Sequence, residues 1–428
     1  MISALGWIDF SSEHRDRVRT VLDLLAEKGV VDELGIGVIR DTFADLMFPG
    51  LSTIQTRAKY FLIIPRLLKA YESLPDRQRR NLSLADFLAE QEKQCRIRLF
   101  EKYRNQDRDN LGIIGVTFGT RTDRDVLRQP SSVYWNGLRK FGIIKTDLSL
   151  AEYCRRHSGH RPSLRLMLEA SQEERGDDVD AEDVARSPVI TLPPAPDWPE
   201  KLAITLQLKE AVFLRQQIVA TQSQSLLGQI LLDTAAQTQF LALSQNASFA
   251  DLAALPFIKQ LPDSQLRPVV LRAKLFWDLL QGAHIRYNCL LQDRFGSTTR
   301  AREYAGQWAA WRQEIQAFPW SQWDTAAMWA YVAGSGGRIH GYTKRFVEQW
   351  IELAAKLPPQ NALFDECVIR QERANKGARA RLRPDNRGEK VSEWIGIAAL
   401  AYRLPQAWRM VSDIHQAESG KAVAHVGF

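Results

Sequence analysis

From about residue 205 to residue 355, apolar side chains return at the spacing of a helical turn with hardly a break. That pattern narrows the fold more than any other in the chain. Leu206, Leu208, Val212, Phe213, Leu214 and Ile218 open it. It predicts helices over 223–243, 248–254, 264–293, 299–317, 321–333 and 343–356. A half-buried sheet would instead alternate with a period of two residues. No repeat of about 34 or 40 residues emerges, so the pattern is not read as a solenoid. The chain is expected to be mainly α.

The N-terminal part reads as shorter helices joined by tight turns. Ser11-Ser12-Glu13 is placed to cap a first helix that ends at Gly29. A second runs from about Asp32 through Phe43 and Leu46 and is broken by Pro49-Gly50. Ser52-Thr53 is expected to cap a third, from Ile54 to about Tyr71. A further helical stretch covers 82–103. Near Ser131-Ser132 another helix starts, with Val133, Tyr134, Leu138 and Phe141 on one face. Gly142-Ile143-Ile144 follows like a wing strand, so residues 1–170 are expected to form a helical domain with helix-turn-helix or winged-helix features. Residues 171–200, acidic and then proline-rich through Leu192-Pro193-Pro194-Ala195-Pro196, read as a linker. A helical domain over 201–357 and a basic segment over 358–428 complete the layout, with a last helix at about 405–416.

Charge and cysteine usage bound the function classes. Lys and Arg number 57 against 50 Asp and Glu, a net charge of +7. That excess permits attraction to phosphate without demanding it. Cys95, Cys154, Cys289 and Cys367 are scattered and form no CxxC, which suits a reducing compartment. The start MISALGWIDF lacks a basic region followed by an apolar run, so no secretory leader is expected. No stretch approaches a membrane span. A cytoplasmic protein is the expectation.

Familiar enzyme signatures are missing. There is no GxxxxGK[ST], no HExxH and no GxSxG. No Glu-x-Lys or Asp-x-Lys tripeptide occurs, although Gln91-Glu92-Lys93 remains as a variant seen in some nucleases. Cys154, His157 and His160 are spaced like metal ligands, but a fourth partner is lacking, and no metal or cofactor is expected. His284, Tyr287 and Asn288 share a face of the 264–293 helix. The plainer account is a buried network joining helices; the sharper one is a ligand-binding or catalytic face. The turn from Gly334 to His340 is rich in backbone donors, and phosphate contact there competes with a simple helix break. The tryptophans Trp308, Trp311, Trp320, Trp323, Trp329 and Trp350 are read as core.

Two basic sets stand out. Thr53, Gln55, Arg57 and Lys59 lie at the expected start of the third helix, and Arg121, Arg124, Arg128, Arg139 and Lys140 flank the wing-like element. Such side chains at a helix start reach DNA backbone or base edges. The second set is Arg370, Arg373, Lys376, Arg379, Arg381, Arg383, Arg387 and Lys390, opposed by Glu372, Asp385 and Glu389. This strip is expected to be flexible, and arginines spaced along it suit phosphate oxygens.

The segments Gly6–Phe10, Asp32–Gly37, Leu46–Phe61 and Arg370–Leu382 together resemble a family of uncharacterised bacterial proteins of similar length. The resemblance covers most of the chain and brings no catalytic residues with it. It implies a link to antiviral defence islands, with a helicase or nuclease as partner. The combined expectation is a nucleic-acid-binding accessory protein for DNA or RNA. A scaffold with little nucleic-acid affinity, and a nuclease or other enzyme with an unfamiliar site, are the alternatives.

Overall fold

The computed structural model describes residues 32–106, 111–122, 126–158, 189–261, 266–386, 391 and 393–420. Over these the chain is mainly helical, with one pair of two-residue strands. Its elements divide between two bodies whose segments interleave along the sequence. One is Met1–Met47 with Ser248–Tyr402; the other is Phe48–Ala247 with Arg403–Phe428.

Among the described residues, the first body opens with α1 (Gly37–Met47). The carboxylate of Asp32 accepts the Ile36 N–H at 2.9 Å and the Gly37 N–H as well, so it caps this helix from five residues upstream. The second body then supplies α2 (Tyr60–Glu72), α3 (Asp76–Arg79), α4 (Leu84–Lys102), α5 (Pro130–Lys140), β1 (Ile144–Lys145), α6 (Leu150–His157), β2 (Val189–Ile190), α7 (Leu208–Gln222), α8 (Leu226–Leu232) and α9 (Thr234–Leu241). The first body resumes with α10 (Phe249–Ala254), α11 (Pro256–Gln260), α12 (Leu266–Phe295), α13 (Thr298–Glu314), α14 (Thr325–Gly334), α15 (Gly341–Lys356) and α16 (Ala362–Lys376). Finally α17 (Leu404–Glu418) returns to the second body. Among the described residues, no helix is long and apolar enough to cross a membrane.

In the first body α12 is the axis, packed by α1, α10, α13, α15 and α16. Gly282 sits at its middle because an indole lies where a side chain would be: a Cβ there would fall 2.2 Å from Trp311. Trp311 and Trp350 each donate an indole N–H to α12 carbonyls, of Asp278 and Leu279, both at 2.8 Å. Trp308 stacks on Trp311, and Phe364 closes the cluster. Replacing such a ring by alanine costs about 3–5 kcal/mol. Trp320, Trp323 and Trp329 are only half-buried, so the core reading holds for Trp308, Trp311 and Trp350 and not for these.

In the second body α2 packs on α4 and α5, with Phe61 against both Tyr134 and Phe141. The strand β1 pairs antiparallel with β2, Ile144 opposite Ile190. The last helix, α17, lies on α7 and α9.

Several expectations are corrected. The third helix begins at Tyr60, and 51–59 is a chain of turns. Its backbone is held by distant groups: the Tyr134 hydroxyl accepts the N–H groups of Thr56 and Arg57, and Asp413 accepts that of Ala58. The 223–243 helix is two, because Asp233 caps a fresh start by accepting from Ala235 and Ala236. The segment 358–428 begins with α16, a helix the sequence reading does not anticipate. The linker expected at 171–200 lies largely outside the described residues. Residues 189–190 of that expected linker pair as a strand within the second body, while the acidic run 171–183 and the expected first helix lie outside the described residues.

Candidate functional site

The basic set expected at the start of the third helix is mostly interior. Arg57 is 8% exposed and pairs with Asp413 at 2.9 Å, while also donating to the Leu111 carbonyl. Lys59 is 4% exposed and donates to both oxygens of Glu210, which also accepts from Arg66 at 2.8 Å. Burial alone would raise the Glu210 carboxyl; the Lys59 ammonium and its hydrogen bonds outweigh burial and hold it below the ordinary range. Gln55 is buried and donates to the carbonyls of Gly50 and Val133. These three side chains brace a turn-rich segment, and turning them toward a ligand would break buried pairs. Thr53 is exposed, its carbonyl accepting from Gln406.

Around the wing-like element the cations are mixed. Arg121 and Lys140 are exposed, whereas Arg139 donates to the carbonyls of Thr146 and Asp147. Arg124 lies outside the described residues.

The C-terminal strip starts as a helix and is organised by a carboxylate. Arg370, Arg373 and Lys376 belong to α16. Glu372, fully buried, accepts the Tyr287 hydroxyl at 3.0 Å and the backbone N–H groups of Arg381 and Leu382 at 2.6 and 2.9 Å. It thereby folds 377–382 back beside the end of α16, which explains an acidic residue amid the arginines. Lys376 pairs with the buried Glu33, and Arg383 with Asp385. Arg373 donates to the Leu382 carbonyl and Arg370 to Gln349, yet both remain exposed, as does Arg379. Arg381 is half-buried. Arg387 and Lys390 lie outside the described residues.

The structure brings this strip to the glycine-rich turn, which the sequence leaves more than thirty positions away. Helices α15 and α16 pack together, and Gln371 near the end of α16 donates to Thr343 in the first turn of α15 at 3.2 Å. Gln371 also donates to the Leu34 carbonyl, and Asn375 to those of Asp32 and Glu33. Ser335 of the turn is bonded to Thr42 of α1 at 3.0 Å. One end of the first body therefore gathers Arg338, Lys344 and Arg345 from the turn and the head of α15, Arg370 and Arg373 from α16, and Arg379 from the turn that follows it. All are exposed. The carboxylates of Glu348 and Glu366 stand 4.0 Å from Lys344 and Arg370. Beside them His340 and Tyr342 stack, ring centroids 5.0 Å apart and 7° from parallel. Lys344 also lies over the Trp329 ring. Sequence reasoning passed over Lys344, Arg345 and Tyr342; the available signal was a basic, aromatic helix start directly after a glycine turn.

The other candidates resolve differently. Asn288 ties α12 to the Ile395 backbone in both directions and Tyr287 joins it to Glu372 of α16, so two of the three polar residues on this face make buried links. His284 is fully buried with neither ring nitrogen bonded, and burial lowers it to about 3, so the ring stays neutral. Glu92 of the Gln91-Glu92-Lys93 triplet is buried and accepts the Ser131 N–H at the head of α5; burial pushes its carboxyl up to about 8. Cys154 is buried and His157 packs on Tyr153, while His160 lies outside the described residues.

A mainly helical protein of two interleaved bodies, one of them carrying an exposed cationic and aromatic end, is the class this structure defines. The chain belongs to a family of unknown function, DUF6361, whose model matches residues 2–418. No curated protein and no solved structure matches it.

Proposed function

We propose that the chain is a nucleic-acid-binding accessory protein and that the cationic end of the first body is its contact surface. The observation that carries this reading is the convergence of the turn before α15, the head of α15 and the tail of α16, all presenting exposed cations. Clustered Lys and Arg with few opposing carboxylates is the electrostatic footprint of a phosphate-binding face. Arginine suits the task because its planar fork grips phosphate oxygens in pairs. Arg121 and Lys140, exposed on the second body, are a separate candidate contact in this proposal, which keeps a winged-helix role for the element that ends in Lys140. A cytoplasmic setting in bacterial antiviral defence, beside a helicase or nuclease, extends the proposal and draws on the family resemblance.

The test replaces Arg370, Arg373 and Arg379 together by alanine. Binding to DNA and RNA should weaken across all sequences. For each phosphate no longer gripped, the log–log salt slope should flatten by up to about 0.9 on a duplex and about 0.7 on a single strand. Arg381 and Arg383 are left in place because their segment is tied to Glu372 and Asp385, and because Arg373 donates to the Leu382 carbonyl the melting temperature of the variant is measured beside its binding. An intact fold with unchanged affinity and slope would sink the reading. Absence of any salt-dependent nucleic-acid binding would favour instead a scaffold that docks an acidic protein on the same cations.

A further inference from the structure

We infer that the nucleic acid taken at this end is single-stranded, with an unpaired base stacked on the outer face of the His340–Tyr342 pair. The inference rests on the reading above and adds the class of strand. Two parallel rings on a protein surface need a reason, since aromatic faces left to solvent forgo burial. Here the inner ring is the protected one. Tyr342 is half-buried, and both burial and the nearby Asp32 carboxylate raise its phenol. His340 is exposed and forms the outer layer. Its imidazole makes no capping hydrogen bond to α15 although it occupies the N-cap position, so capping does not account for it.

The neighbours fit an unpaired strand. Gly341 follows His340, and a Cβ there would lie 3.6 Å from an Arg345 Nη, which puts that guanidinium over the first turn of the helix. A phosphate next to a stacked base would meet Arg345, with Arg338 on the other side of His340 in sequence. The strand then continues toward Arg370, Arg373 and Arg379. Alternating a stacking surface with cations is how sequence-tolerant single-strand binders hold their ligand. Along a duplex the ring pair finds no open base face, because the bases are stacked on one another and only their edges are open.

The experiment measures binding of the full chain to fluorescent single strands of DNA and of RNA, and to a duplex of equal length, over a range of salt. Wild type should prefer the single strands. His340→Ala should weaken single-strand binding by roughly five- to 150-fold, the effect of removing one base–aromatic stack. Duplex binding and the salt slope should be unchanged, because no cation is removed. His340→Phe, which keeps a ring, should restore the affinity. A duplex bound as tightly as the single strands, or His340→Ala binding like wild type, would overturn the inference while leaving the cationic surface standing. If no nucleic acid binds at all, both fall together. Because His340 is exposed, the thermal melting of the variants should match wild type, which separates a missing stacking surface from a damaged fold.

Discussion

Glu372 shows how far one buried side chain reaches. Its carboxylate takes a phenol hydroxyl from α12 and the N–H groups of Arg381 and Leu382, so it fixes the turn after α16. Replacing it by alanine leaves the Arg381 and Leu382 N–H groups without that acceptor, each at about 1–3 kcal/mol when buried. Glu372→Ala is expected to lose about 3 kcal/mol or more, seen as a fall in melting temperature. It should also free 377–386 for proteolysis; an unchanged melt would refute this assignment. Sequence could supply the chemistry of such residues and not their situation. Arg57 and Arg373 are the same amino acid in similarly basic stretches. One is buried against Asp413, more than 350 positions away, and the other faces solvent. Local pattern carries no record of a partner so distant, so the burial of Arg57 is not legible in the sequence.

At the scale of elements, sequence reading was sounder where periodicity decided and weaker where a tertiary contact did. The long α12, α15 and α17 were placed within a few residues, since each carries a continuous apolar stripe. The start of α2 was misplaced because Tyr134 and Asp413 hold the preceding turns. Helix α16 was missed because its arginines masked the buried Phe364, Cys367, Val368 and Gln371 on the other face. Gly282 gives the sharpest contest between local and tertiary effects. In an isolated helix Gly282→Ala would gain about 1 kcal/mol. Against Trp311, the added Cβ would sit 2.2 Å from the indole, and overpacking of that kind costs about 1–3 kcal/mol. The variant should therefore be less stable than wild type in chemical unfolding. A stabilised variant would mean that α13 can move aside freely.

For the whole molecule, the interleaving of the bodies sets which fragments can fold. The second body lacks its last helix unless 403–420 is present. Without it, Arg57 loses Asp413 and Arg215 loses Glu418. The faces that α7 and α9 present to Leu404, Ala407, Met410, Val411 and Ile414 would also lie open. A fragment of 48–247 should be poorly folded by circular dichroism and amide exchange. The same fragment joined through a short glycine–serine linker to 403–420 should show a cooperative melt. Equal behaviour of the two fragments would remove α17 from the second body. The same threading imposes an order in time during synthesis. Once 48–247 has left the ribosome, the whole of Ser248–Tyr402 must be translated before α17 appears. At about 5–20 residues per second that delay is roughly 8–30 s. For that interval Arg57 has no Asp413 and Arg215 no Glu418 to meet, and a nascent chain that cannot yet close its fold is a natural client for a chaperone.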